Sequence, residues 1–139
     1  MSKEELIFRG RKVVGGKVSG KALVSPEPVC FLGGVQIESG IVTEKGHPLE
    51  GETLKDRVLI FPIGKGSTGG SYLIYATVKN GQGPCAVINA KADPVTATGC
   101  ILAEVPMLVD LDPDPITGIA TGDWVEIDAD AGIARVVKA

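Results

Sequence analysis

The sequence predicts an α/β fold with a large β content, a β-rich shell joined to a βαβαβ layer of short parallel strands. Three observations carry this. Residues 13–50 are rich in β-branched side chains broken by glycine and proline turns. Apolar runs and helical stretches then alternate from residue 58 to 111, the pattern that places parallel strands beside crossover helices. The end alternates apolar and polar residues on either side of Ala129-Asp130-Ala131-Gly132, as a hairpin does.

Taken in order, residues 1–9 read as a loosely ordered polar start. Arg9-Gly10-Arg11-Lys12 is a short basic stretch, and Arg11 is either solvated or a binding residue. Residues 13–24 read as one bent strand or two short ones. Val29-Cys30-Phe31-Leu32, Val35-Gln36-Ile37 and Ile41-Val42 read as further short strands around tight corners. Val58-Leu59-Ile60-Phe61 is a buried strand, residues 72–79 a helix, and Cys85-Ala86-Val87-Ile88-Asn89 a second buried strand. Asp93-Pro94 is a helix start, with aspartate as cap and proline at the first helical position. The helix over 95–104 ends before Pro106 and carries Gly99, which costs about 1 kcal/mol relative to alanine. Met107-Leu108-Val109-Asp110-Leu111 is the third buried strand. Tyr72 and Tyr75 are expected on the core face of their helix, Trp124 is expected to pack, and His47 is expected in solvent.

The 139 residues suit a single domain, 1–139. A net charge of -3 without a Lys/Arg run argues against nucleic acid as the main partner. No 18-residue apolar run is present, so no membrane helix is expected, and the opening Met1-Ser2-Lys3-Glu4-Glu5 lacks a signal-peptide core. Cys30, Cys85 and Cys100 are scattered with no CxxC spacing, which fits reduced thiols in a cytoplasmic protein and no metal bound by this chain. Asp110, Asp112 and Asp114 lack the Gly and Glu of a calcium loop.

The chemistry centres on Gly64-Lys65-Gly66-Ser67-Thr68-Gly69-Gly70, where a strand hands over to a helix. In a parallel sheet this loop and Ala90-Lys91-Ala92-Asp93 emerge at the same edge, the carboxyl ends of the strands, with two helix starts that favour an anion. Nucleotide binding is disfavoured, because neither GxxxxGK[ST] nor a correctly placed GxGxxG is present. Ser67 has two readings. It caps the helix, worth roughly 1 kcal/mol, or it is a catalytic hydroxyl. A helix terminus offers at most about 2 kcal/mol, or about 1.5 pKa units, towards ionising a serine. Lys65 adds a cation, yet a serine base still needs help from outside this chain.

Gly10-Arg11, Gly20-Lys21-Ala22-Leu23-Val24-Ser25, Phe31-Leu32-Gly33-Gly34-Val35, His47-Pro48-Leu49-Glu50-Gly51, Gly64-Lys65-Gly66-Ser67, Pro84-Cys85-Ala86-Val87-Ile88 and Val105-Pro106-Met107 together resemble the small subunit of aconitase X-type dehydratases. The ordered set spans residues 10–137. The resemblance implies a swivelling β/β/α domain and a large-subunit partner, in a heterodimer, that carries a 4Fe-4S cluster. It implies Ser67 as the proton acceptor, with Lys65 in support and Gly66, Thr68 and Arg11 as substrate-binding candidates. The implied substrate is a phosphorylated hydroxy acid, (R)-5-phosphomevalonate. The alternatives are cis-3-hydroxy-L-proline as substrate, or a non-catalytic binding or regulatory module. The chain departs from the family at Cys30, where serine is frequent, and at Gln36, where aspartate is, and both departures bear on substrate identity. The last third is also similar to phosphohistidine swivelling domains, but no histidine lies between Pro48 and Ala139.

Overall fold

A computed structural model describes residues 4–65 and 69–139. Seven strands form one closed barrel. In chain order they are β1 (Glu5–Val14), β2 (Lys17–Val24), β3 (Val58–Phe61), β4 (Ala86–Asn89), β5 (Met107–Asp112), β6 (Trp124–Asp128) and β7 (Ile133–Val137). Around the barrel the order is β1-β5-β4-β3-β2-β6-β7. The parallel strands β3, β4 and β5 are neighbours, joined by α1 (Gly69–Lys79) and α2 (Pro94–Ala103). The predicted βαβαβ unit is therefore present. It belongs to the same sheet as the β-rich part, because β2 pairs parallel to β3 and β1 antiparallel to β5.

Alternation divides the core in two. Phe8, Ile60, Ile88, Leu108, Val125 and Val136 fill the barrel interior. Leu59, Phe61, Val87 and Met107 point outward, where Ile74 of α1 and Cys100 of α2 cover them. Both faces of β3 and β4 are thus buried, which is why these strands read as unbroken apolar runs. The helices cross closely. Ser71 Oγ donates to the Val95 carbonyl at 2.7 Å, and a Cβ at Gly99 would meet Ile74 carbons at 2.7 and 2.8 Å. Glycine inside α2 is therefore a packing requirement that outweighs its helix cost. No helix among the described residues is long and apolar enough to cross a membrane.

Five expectations are corrected. From Glu5 onward the start is not loose, since Glu5–Arg9 pairs with β7 before the strand continues along β5. Only Phe8 of this strand is fully buried, so its alternation is masked by outward charges. Residues 25–57 form no regular strands. They make only the isolated bridges Val29 with Gly64, Val35 with Val42, and Ile41 with Thr53, while Phe31, Val42, Leu49 and Leu54 plug the helix-side core. His47 is buried, not solvated. Its Nδ1 accepts the Leu49 N–H at 3.0 Å, so Nε2 carries the hydrogen and donates to the Pro28 carbonyl at 2.9 Å. Tyr72 (67% exposed) and Trp124 (43%) face outward, each beside inward neighbours, Leu73-Ile74 and Val125.

Candidate active site at the carboxyl edge of the parallel strands

β3 ends at Phe61 and β4 at Asn89, and their strand-to-helix loops rise side by side. Asp93 ties the two together. Its Oδ1 accepts the Thr96 N–H at 2.9 Å, capping α2 as its sequence predicts, and its Oδ2 accepts the Gly64 N–H at 2.8 Å from the other loop. A Cβ at Gly64 would overlap Thr96 Oγ1 and stand 3.2 Å from both Asp93 oxygens, so only glycine lets the loop come this close. From the opposite side, Val29 brackets the loop. Its N–H donates to the Ile63 carbonyl at 3.3 Å and its carbonyl accepts the Lys65 N–H at 3.1 Å.

Lys65 leaves this loop and donates to Glu44 at 2.9 Å, with its side chain still 46% exposed. The hydrogen bond that Lys65 donates to Glu44 is the largest influence on its ammonium; with the negative charge of Glu44 it outweighs the opposing desolvation and holds the pKa above its ordinary value. Lys65 is thus a permanent cation at neutral pH. Cys30 donates its thiol hydrogen to the Leu32 carbonyl, whereas Gln36 is exposed and accepts from Ser39 Oγ at 2.6 Å. Gly66, Ser67 and Thr68 lie outside the described residues.

Arg11 reaches the same edge by another route. Its Nε and Nη2 donate to Asp110 Oδ2 at 2.9 and 2.8 Å. Asp110 adopts left-handed backbone (φ 57°), and its N–H donates to the Ala90 carbonyl at 3.3 Å, which joins this pair to the second loop. Such backbone in a non-glycine residue is concentrated at functional sites. Arg11 and Lys65 therefore stand on different supports, each beside its own carboxylate.

Sequence reasoning missed Glu44, Asp110, Asn89 and the second bond of Asp93. Asn89 alone left a local signal, an amide closing an otherwise apolar strand. It is fully buried. Its Nδ2 donates to the Phe61 carbonyl at 3.1 Å, and its Oδ1 has no partner.

The residues present do not suit a metal cluster. Among the described residues, no three His, Cys, Asp or Glu side chains converge. Burial pushes the Cys100 thiol up to about 12, with Asp93 adding to the effect, and burial also raises Cys85. Neither thiol is primed to become the thiolate that a cluster requires. A groove of about 500 Å³ lies on the outer face of β2, β6 and β7, but its charges are engaged with one another: Arg135 with Glu126 and Glu5, and Lys17 with Asp128 at 3.9 Å. None of its lining residues belongs to the strand-to-helix loops, so the carboxyl edge remains the better candidate for chemistry.

A closed barrel flanked by two crossover helices, with two tethered loops at one edge, defines a swivel-type domain. The chain belongs to the aconitase X swivel domain family, whose model matches residues 7–136. It is 50% identical to the phosphomevalonate dehydratase small subunit of Methanocella arvoryzae over 93% of this chain and 98% of that one. It is 47% identical to the protein of the same name from Thermococcus gammatolerans, over 94% and 97%. In structure it is similar to the crystal structure of Thermococcus kodakaraensis aconitase X in its holo-form, with a TM-score of 0.91, 42% identity, and coverage of 96% and 99%. The family and fold expected from the sequence are borne out.

Proposed function

We propose that this chain is the small subunit of a heteromeric, cytoplasmic hydro-lyase that dehydrates (R)-5-phosphomevalonate to trans-anhydromevalonate 5-phosphate in the archaeal mevalonate pathway. The observation that carries this reading is 50% identity along nearly the whole chain to a phosphomevalonate dehydratase small subunit. The geometry supports it: the carboxyl edge has tethered loops, a fixed cation and helix starts.

The substrate is a 3-hydroxy acid, so the proton lost is the one on C2, beside the carboxylate. In this reading the Ser67 alkoxide accepts that proton and becomes a hydroxyl. The C2–H electron pair forms the C2–C3 double bond and the C3–O bond breaks with its electron pair on oxygen; the departing hydroxide and the proton taken by Ser67 together make up the water lost, and release of that proton restores the alkoxide. Assistance to that departure is the Lewis-acid chemistry that a 4Fe-4S cluster on the large subunit supplies. This chain's share is electrostatic and positional. Lys65, kept charged by Glu44, favours the alkoxide. The start of α1 adds its partial positive charge. Asp93 and Val29 fix the loop on both sides. In this reading Gly66 and Thr68 contact substrate, and Arg11, which pairs with Asp110 at 2.8 Å, meets an anionic group of it.

The test is reconstitution with the large subunit. The complex should dehydrate 5-phosphomevalonate, neither subunit should do so alone, and cis-3-hydroxy-L-proline should be untouched. Turnover of the hydroxyproline instead would reassign the substrate. Full activity of the large subunit by itself would make this chain a non-catalytic module.

A further inference from the structure

Asn89 is the last residue of β4, and its side chain lies on the helix-facing side of the sheet with Val87, two residues earlier. It sits between Phe61 of β3 and Val109 of β5, the strand ends from which both loops depart. Its Nδ2 donates to the Phe61 carbonyl at 3.1 Å and approaches the Ile88 carbonyl at 3.4 Å, so two acceptors fix the orientation of the amide. Oδ1 is left buried without a partner, the one such side-chain atom among the described residues. A buried acceptor without a donor is costly, and an apolar side chain of the same shape would avoid that cost while filling the same space. The Phe61 carbonyl would not be orphaned by such a change, because the Ala90 N–H also reaches it at 3.3 Å. Nothing in the packing therefore requires an amide here.

We propose that Asn89 is a positioning residue for the reaction: its amide holds the base of the loop that leads to Ser67, and Oδ1 is kept as an acceptor for a donor that becomes buried at this edge in the working complex. This rests on the dehydratase reading above and names a residue that reading does not use. Asn89 acts through the loop, not by touching the reacting atoms. Its loss should lower kcat much more than it raises KM, because misplacing a catalytic group costs turnover steeply.

The test compares Asn89→Leu and Asn89→Asp in the complex with the large subunit, beside the unsubstituted complex. Asn89→Leu should leave the Tm of the small subunit equal or higher and reduce kcat by roughly tenfold or more, with KM nearly unchanged. A protonated aspartic acid reproduces the amide's pattern, one donor towards Phe61 and one free acceptor. The kcat of Asn89→Asp relative to the unsubstituted complex should therefore climb as pH falls. The aspartate variant decides the matter if the leucine variant does not fold. Turnover of Asn89→Leu within twofold of normal, or an aspartate ratio flat with pH, overturns the proposal. An unsubstituted complex that turns over no 5-phosphomevalonate overturns the dehydratase reading instead, so the two failures are distinct.

Discussion

The Asp93 carboxylate and the Gly64 amide, 29 residues apart in the chain, meet at 2.8 Å, while the same carboxylate caps α2. One side chain thus sets the start of a helix and the path of the neighbouring loop. The two roles can be separated.

Asp93→Asn keeps a capping oxygen for Thr96 but turns an NH2 group towards the Gly64 N–H. Asparagine caps as well as aspartate does, so stability should fall by only about 1 kcal/mol, the worth of one ordinary hydrogen bond. Turnover of the complex should fall by more than that loss would imply. Asp93→Ala should cost about 2–3 kcal/mol, since it removes both bonds. Urea denaturation of the small subunit and steady-state kinetics of the complex measure the two effects. Equal turnover in Asp93→Asn and the parent would show that the loop tether is not used.

Gly64→Ala should destabilise the domain by about 1–3 kcal/mol, the usual cost of forcing extra volume into a filled site. The obstruction is chiefly Thr96 Oγ1. Thr96→Ala in the same chain should therefore recover part of the loss, visible as a non-additive double-mutant cycle in chemical denaturation. Strict additivity would locate the strain elsewhere.

Asp123 predicts the acid limb of stability. Burial opposes its ionisation, but the Lys138 ammonium at 2.6 Å and the Ala120 and Ala139 N–H groups outweigh that and hold its carboxyl below the usual range. A depressed folded-state value means that the carboxylate's contribution is fully present above its unfolded pKa, about 3.9. It is lost as pH falls from there through the lower folded value. Lys138→Met should cost about 2 kcal/mol at pH 7 and flatten the dependence of stability on pH below about 4. Urea midpoints across pH 2–7 check this, and a variant whose acid limb is as steep as the parent's would contradict it.

The parallel strands, their helices and the last hairpin were legible because each carries its own local signal. β3 and β4 are buried on both faces, Asp93-Pro94 marks a helix start, and β6 and β7 alternate strictly. The plug over 25–57 was not, because Phe31, Val42, Leu49 and Leu54 are buried by where their turns lie and not by any period. His47 misled for the same reason: its burial depends on the Pro28 carbonyl, 19 residues away. Trp124 was legible in principle, since inward Val125 and Ile127 put it on the outer face. In the candidate site, the position of the loop and Lys65 could be read from glycine spacing beside an apolar strand. Glu44, Asp110 and the Gly64 bond of Asp93 could not, because each joins residues that only the closed barrel brings together.

The central claim is that this chain lends the proton-accepting hydroxyl to a site completed by its partner. The most direct measurement is the turnover of 5-phosphomevalonate by the reconstituted complex carrying Ser67→Ala, with complex formation followed in parallel. The account predicts an intact complex with turnover reduced by about a thousandfold or more, within the range that general-base catalysis and its positioning contribute together. Near-normal turnover from an intact Ser67→Ala complex would contradict it.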